Sequence, residues 1–132
     1  MSAQPRFDAA SLEVYGRVRE VRIETISVDG TRTHRTIVWI VTAGDQVFVR
    51  SVNGSTARWY REAIGHPEVV LHADGAAIPA TAVLANDLDT IQRVSDAFRS
   101  KYGKRSPGST ELMVQPHTLE TTIRLEPRGP GT

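Results

Sequence analysis

Apolar and polar residues alternate along much of the chain with a period of two, which is the pattern of half-buried β-strands. In 18–28, Val21 and Ile23 alternate with charged residues, and the phase then slips so that Ile26 and Val28 follow. This slip predicts a strand that contains a β-bulge. Alternation and β-branched runs predict five further strands, at 36–42, 46–51, 68–73, 78–85 and 118–125.

The run 36–42 differs from the others because it is β-branched and aromatic along its whole length. Such a run indicates a central strand that is buried on both faces or nearly so. Turn signals with glycine separate the strands at Asp29-Gly30, at 43–45 and at Asp74-Gly75. The first three strands therefore form a predicted meander, and the fourth and fifth a second hairpin.

A period near 3.6 residues predicts the helices. Between Leu88 and Tyr102 the apolar residues recur at helical spacing, and Asn86 or Asp87 can cap the start. A short helix is predicted over 7–15 with Asp8 as its cap, and another over 56–64, where three residues share an apolar side: Trp59, Ala63 and Ile64. The segment 104–110 reads as a loop.

Six short strands, one long amphipathic helix and no internal repeat predict a mainly β (α+β) fold, an antiparallel barrel with a few flanking helices. The 132 residues are 39% hydrophobic and 23% charged, which is ordinary globular composition. We therefore predict a single domain over 1–132, with its core at about 18–126 and a flexible tail at 127–132.

Charge and cysteine content exclude several functions. Sixteen basic and fifteen acidic residues give a formal charge of +1, which supplies no large field for nucleic acid or an anionic membrane. The basic residues from Arg99 to Arg105 are expected at a helix C-terminus, so nucleic-acid binding is only an alternative. The chain has no cysteine, no apolar run long enough to span a membrane and a polar N-terminus. A cytoplasmic location is the prediction.

The sequence points to no metal and to no catalytic residue. The four histidines, His34, His66, His72 and His117, are scattered without ligand spacing. No nucleophile elbow, P-loop or dinucleotide fingerprint is present, which leaves hydrolase and kinase functions without support. We predict no metal site.

The segment 50–60 carries most of the chemistry. A strand ends there in a small polar turn, and a helix follows with Arg58 in its first turns. Hydroxyls, backbone N–H groups and two guanidinium groups could converge on a phosphate, and Trp59 could flank a planar ring. The alternative is a capped helix with a buried tryptophan and surface arginines. A second basic cluster before the strand at 36–42 contains Arg32, His34 and Arg35 and could add charge to this site or form an exposed turn.

Four stretches together resemble the flavin/deazaflavin-dependent oxidoreductase superfamily, which includes the pyridoxamine-phosphate-oxidase-like split barrels. They are 36–41 (TIVWIV), 47–51 (VFVRS) after Gly44-Asp45, 53–60 (NGSTARWY) and 66–69 (HPEV). The resemblance covers about 18–126, and the chain looks like one of the superfamily's branches of unknown function. It implies a six-stranded antiparallel split β-barrel, a homodimer, and FMN or an 8-hydroxy-5-deazaflavin coenzyme near the dimer interface.

The resemblance also implies the binding residues. It assigns the cofactor to the turn after the third strand and to the helix that follows it: Arg50, Ser51, Asn53, Gly54, Arg58 and Trp59. Two further residues, Arg35 and Trp39, complete the predicted cofactor-binding set. The deazaflavin reductases carry a Gly-Arg-Lys-Ser-Gly-like loop before the central strand, whereas 28–35 keeps only the turn and the arginines. Another ligand, or none, is therefore an alternative.

Several functions stay open at this point. The first is an oxidoreductase that acts on a small organic molecule by hydride transfer through its bound cofactor, which needs no catalytic acid from the protein. The second is a protein of the same fold that binds a cofactor or other ligand without turnover. A purely structural or interaction domain is the third. The residues do not decide whether the protein is an enzyme, and the fold alone does not decide it either.

Overall fold

The computed structural model describes residues 5–128, and a single antiparallel sheet that curls into a half-barrel organises them. In chain order the seven strands are β1 (Val21–Ile26), β2 (Thr33–Val38), β3 (Ile40–Ala43), β4 (Gln46–Val49), β5 (Glu68–Ala73), β6 (Ala76–Leu84) and β7 (Ile123–Pro127). Their order across the sheet is β2-β1-β5-β6-β7-β4-β3. Five helices flank the sheet: α1 (Ala9–Arg17), α2 (Arg58–Gly65), α3 (Leu88–Tyr102), α4 (Pro107–Leu112) and α5 (Pro116–Leu119). The α+β split-barrel fold is confirmed, with seven strands in place of six.

The seventh strand arises because the predicted central strand is two strands. The ladder is interrupted at Trp39, so that Val38 pairs with Val21 of β1 and Ile40 pairs with Val49 of β4. β2 and β3 lie at opposite ends of the strand order, and β2 is half exposed. The prediction of a central strand buried on both faces is therefore wrong. A β-branched run favours extended backbone, but its composition does not tell one long strand from two joined by a bend.

The predicted bulge in the first strand is also absent. β1 pairs with β2 without interruption from Val21 to Ile26. Its inward residues are Val21, Ile23 and Thr25, and the Thr25 hydroxyl donates to Glu62 Oε1 at 2.7 Å. Because a threonine with a buried partner takes an inward position, the apolar pattern of the sequence is out of phase although the backbone is regular.

The helices before residue 103 follow the prediction closely. α3 has the predicted bounds, and its cap Asp87 accepts from the backbone N–H of Thr90. α1 is capped by Asp8 as expected. α2 begins at Arg58 because residues 54–56 form a 3-10 turn, and it buries Trp59 and Ala63 while Ile64 is exposed. The predicted membership of Ile64 in the apolar side is wrong.

The C-terminal part contains two helices that the sequence reading missed. α4 and α5 occupy most of 107–119. The predicted loop ended at 110, the predicted strand began at 118, and no element was predicted between them. Each helix begins with a proline, a residue that fits the first helical turn because its missing N–H has no helical acceptor there. β7 starts at Ile123 and ends at Pro127, and Arg128 donates to the carbonyl of Ala80 at 3.2 Å. The rest of the predicted tail, 129–132, lies outside the described residues.

Two apolar clusters stabilise the fold. The larger lies inside the half-barrel and receives α1 and α2. The smaller joins α3 to β3 and β4 through Val41, Phe48, Phe98 and Tyr102. Trp39 packs against this second cluster, and its ring stacks on Tyr102 with 3.9 Å between ring centroids. The bend between β2 and β3 is thereby attached to α3.

Tyr15 carries a buried hydroxyl that has no hydrogen-bond partner among the described residues. Burial raises the pKa of Tyr15 to about 12 from a model-peptide value of 10.0. Between these pH values the folded protein keeps a proton that the unfolded chain has lost, so the free energy of unfolding falls as the pH rises through this window.

Replacing Tyr15 with Phe is expected to raise the free energy of unfolding by about 1 kcal/mol at pH 7, because a buried unpaired hydroxyl is removed. The alkaline loss of stability should also become smaller. Urea unfolding at pH 7 and at pH 10 to 12 measures both effects. Tyr102→Phe is the control: its hydroxyl donates to Arg19 O at 2.7 Å, so this variant should be less stable. A Tyr15→Phe variant no more stable than the wild type would contradict the prediction.

Candidate functional site

A cavity of about 280 Å³ opens at the bend between β2 and β3. Trp39 from the bend, Trp59 from α2 and Arg50 after β4 line it, and the end of α4 closes one side with Leu112 and Met113. We call it the tryptophan cavity. It is the place where three of the eight predicted binding residues meet: Trp39, Arg50 and Trp59.

The two indoles are held in fixed positions. Trp39 stacks on Tyr102 with an angle of 12° between the rings. Tyr102 is itself fixed, since its hydroxyl donates to Arg19 O and accepts from the Ile40 N–H at 3.2 Å. Trp59 is buried on α2. A planar ligand would therefore meet aromatic surfaces that need little reorganisation.

Arg50 is the most unusual residue of the cavity, because it is only 1% exposed and still has no carboxylate partner among residues 5–128. Its guanidinium donates to four neutral oxygens: Thr122 Oγ1 at 2.8 Å, Ile91 O at 2.9 Å, Ser95 Oγ at 3.0 Å and Met113 O at 3.2 Å. Burial lowers the pKa of Arg50 to about 10. The group is therefore charged at neutral pH, and no carboxylate of residues 5–128 forms an ion pair with it.

The polar turn after β4 is packed rather than open. The Ser51 hydroxyl donates to Gly54 O at 2.7 Å, and Gly54 has a φ of +76°. A Cβ on Gly54 would lie 3.2 Å from His117 Cδ2 of α5, so glycine is required there for both backbone and space. Asn53 is exposed and makes no side-chain cap bond. These three predicted residues form a structural turn outside the tryptophan cavity.

The two remaining predicted residues lie on the surface. Arg58 donates to Thr36 Oγ1 at 3.3 Å and is 3.9 Å from Glu62. Arg35 lies 3.4 Å from Glu24 and borders a different cleft. Arg50 is inside, beneath α3, whereas Arg58 is outside on α2, so the expected convergence of both guanidinium groups on one phosphate does not occur.

A buried carboxylate cluster was missed in the sequence. Glu62 on α2 is 2% exposed and accepts from the Thr25 hydroxyl. Its Oε2 is 3.0 Å from Nδ1 of His34 on β2. Glu62 follows Trp59 by three residues, so both lie on the same side of α2. The cluster fixes the helix that carries Trp59, and only the strand register, which brings Thr25 opposite His34, could have revealed it.

Sequence reasoning also missed the α4 side of the cavity. Ser109, Leu112 and Met113 line it. Ser109 lies in the predicted loop 104–110, and no element was predicted for 111–117. The proline at the first position of α4 was the available signal.

Other kinds of site find no support in the described structure. Within residues 5–128, no three histidine or carboxylate side chains are grouped so as to hold a metal ion. In the same part of the chain, no helix is long and apolar enough to cross a bilayer. Lys101, from the predicted basic run, donates to the Tyr15 and Ile40 carbonyls at 2.7 and 2.6 Å, so the run is not one continuous surface patch.

Comparison with known proteins gives a family and a fold. Residues 11–125 match the family described as "Uncharacterized protein conserved in bacteria (DUF2255)". The chain belongs to this family. No curated protein matches the sequence.

Solved structures of low sequence identity share the architecture. HutZ, the heme storage protein from Vibrio cholerae, is 14% identical, with 94% of this chain and 92% of that chain covered and a TM-score of 0.64. A putative pyridoxamine 5'-phosphate oxidase from Listeria innocua is 14% identical, covering 91% and 92%, with a TM-score of 0.64. An F420-H2 dependent reductase is 12% identical, covering 82% and 94%, with a TM-score of 0.60. These similarities establish that this DUF2255 protein has the split β-barrel fold.

Proposed function

We propose that this DUF2255 protein binds FMN or a deazaflavin coenzyme in the tryptophan cavity and is an oxidoreductase for a small organic molecule. The observation that carries the proposal is the combination of two fixed indoles with a buried, unbalanced guanidinium. A planar, electron-accepting ring that gains negative charge fits this set of groups better than a neutral or cationic ligand does. Structural relatives named as a reductase and as an oxidase also support an oxidoreductase function.

The residues of the cavity would each have a defined role. When bound, a flavin-type cofactor supplies the hydride chemistry itself. Trp39 and Trp59 would hold the ring plane and exclude water. Arg50 would stabilise negative charge on the ring, and this effect is strong because the guanidinium is already desolvated and positioned by its four oxygen partners.

The mouth of the cavity supports the expected homodimer. Three large apolar side chains at the cavity are exposed: Ile37 by 54%, Leu112 by 52% and Val52 by 41%. Exposed apolar groups around a ligand site mark a surface that another molecule covers. We expect a second copy of this chain to cover them, with the ligand near the interface.

Binding without turnover is the second candidate, and the composition of the cavity favours it in one respect. Among the described residues that line the cavity, Glu20 is the sole carboxylate and there is no histidine. A reaction that needs a proton from the protein would therefore find few donors in the cavity, whereas hydride transfer alone needs none. A structural relative is named as a heme storage protein, so this fold also occurs in a protein named for ligand storage.

Titration with FMN, and separately with the deazaflavin coenzyme, tests the proposal through cofactor fluorescence anisotropy. Trp39→Ala should weaken binding about tenfold, because loss of a stacking contact costs roughly 1–3 kcal/mol. Arg58→Ala is the matched control: it lies outside the cavity, and binding should not change. Absence of saturable binding by either cofactor would overturn the proposal. Saturable binding without reoxidation of the reduced cofactor by any small acceptor would favour the second candidate.

A further inference from the structure

A second and larger cleft lies beside the tryptophan cavity on the outer face of the sheet. It has a volume of about 450 Å³ and is bordered by β1, β2 and the β5–β6 turn. Glu20 and Ile37 line both spaces and form the wall between them. We call it the arginine cleft, after Arg22 and Arg35, which line it together with His72.

The strand register explains why these side chains share one face. Arg22 on β1 pairs with Ile37 on β2 and with His72 on β5, so the three side chains form one row. Arg35 belongs to the next row on the same face, since it pairs with Glu24, two residues after Arg22. Arg22, Ile37 and Arg35 are exposed, so the row is accessible from solvent.

Most charges around the cleft are already paired. Glu24 accepts from His72 Nε2 at 2.7 Å and lies 3.4 Å from Arg35 Nε. These contacts, with that of His72 the largest, hold the pKa of Glu24 below its ordinary value. Asp74 at the β5–β6 turn is paired with Arg17 at 3.3 Å. Both carboxylates are therefore compensated by neighbouring cations.

Among the cations that line the cleft, Arg22 is the exception. Among residues 5–128 its guanidinium takes part in no hydrogen bond and no ion pair, although it stands between Ile37 and His72 in the row. A guanidinium presents paired N–H groups that match the two oxygens of a carboxylate or phosphate. Arg35 is close to the same row and has Nη groups beyond its contact with Glu24. Glu20, two residues before Arg22, also lines the cleft and can accept an N–H or O–H group of a ligand.

We propose that the arginine cleft is a binding subsite for an oxyanion, the phosphate or carboxylate group of the substrate. Arg22 is its principal ligand and Arg35 its second. Because Ile37 lines both spaces, the rest of such a molecule would extend past Ile37 toward the tryptophan cavity. The oxyanion subsite stands on its own geometry; only its connection to a cofactor ring rests on the proposed function. The substrate class is therefore a small organic acid or a phosphate ester.

Nuclear magnetic resonance titration of ¹⁵N-labelled protein with inorganic phosphate, and separately with acetate, tests the subsite. We expect saturable shifts for amides of 21–24 and 72–77. Arg22→Met should weaken the tighter of the two anions about tenfold, since a charge-assisted bidentate contact is worth more than about 1.4 kcal/mol. The control is Arg61→Met, an exposed arginine on α2, whose titration should match the wild type. The anion that binds tighter identifies the substrate as phosphate ester or acid.

The variants separate this inference from the proposed function. Because the Arg22 guanidinium makes no hydrogen bond or ion pair with the described residues, 5–128, Arg22→Met should unfold at the wild-type urea concentration. It should also bind riboflavin, which lacks a phosphate, as the wild type does. Phosphate or acetate shifts that are missing, or that persist unchanged in Arg22→Met, overturn the subsite even if flavins bind. Anion binding that is lost in Arg22→Met supports the subsite even if no flavin binds, and in that case the cofactor proposal alone fails.

Discussion

Phe98→Ala is expected to lower the free energy of unfolding by about 3–5 kcal/mol, the usual cost of truncating a fully buried phenylalanine. Phe98 is 0% exposed and stands at the centre of the cluster that joins α3 to β3 and β4. Its ring lies 6.1 Å from that of Tyr102 and 5.5 Å from the Arg50 guanidinium. Urea unfolding followed by circular dichroism measures the effect.

The same variant should disturb the tryptophan cavity. Trp39 stacks on Tyr102, and Tyr102 packs against Phe98, so a void at Phe98 should change the tryptophan fluorescence of the folded protein. Leu88→Ala on the same helix is the matched control. Leu88 is 86% exposed, and its truncation should change stability by less than about 0.5 kcal/mol. Equal effects of the two substitutions would contradict the assignment of Phe98 to a core that supports the site.

The sequence was most informative where several local signals agree with one another. α3 could be placed to the residue because its apolar spacing, the Asp87 cap and its length all agree. The hairpin of β5 and β6 followed from Asp74-Gly75 in the same way, and both residues have positive φ. In these places the backbone preference and the tertiary packing require the same conformation.

The failures occur where a distant contact decides. At the break, Trp39 stacks on Tyr102, a residue of α3 that lies more than sixty positions later in the chain. The inward Thr25 is stabilised by Glu62 on α2. Neither partner is visible in the local sequence pattern. The pattern therefore predicted one strand at 36–42 and a bulged strand at 18–28. α4 and α5 are too short for a periodic signal.

The candidate site also has a part that the sequence predicts and a part that depends on distant contacts. Trp39, Arg50 and Trp59 were in the predicted set, and they line one cavity. The sequence did not show that Arg50 is buried while Arg58 is exposed, because burial of an arginine depends on the oxygens that surround it. The row of Arg22, Ile37 and His72 could not be predicted, since it exists only through the register of three strands.

Arg50→Ala is expected to lower the free energy of unfolding by about 3 kcal/mol. The substitution leaves a void at the largest fully buried side chain of the described protein, and it leaves the Met113 carbonyl without this donor. Arg50→Met should cost less, about 1–2 kcal/mol, because it fills most of the volume and removes a desolvated charge. Urea unfolding of both variants at pH 7 separates the contribution of volume from that of hydrogen bonding.

Ligand binding by Arg50→Met then tests why a protein would keep an unbalanced charge in its interior. If the guanidinium serves the ligand, FMN affinity should fall about tenfold or more, since a desolvated charge interaction is worth at least ~1.4 kcal/mol, while the variant still folds. If the guanidinium serves only to connect α3, β4 and the end of α4 through Ile91, Thr122 and Met113, FMN should bind Arg50→Met and the wild type equally. Burial disfavours the charged form of Arg50 and lowers its pKa to about 10. Because no carboxylate among residues 5–128 pairs with Arg50, we propose that an anionic ligand supplies the compensating negative charge, and the FMN affinity of Arg50→Met separates this role from a purely structural one.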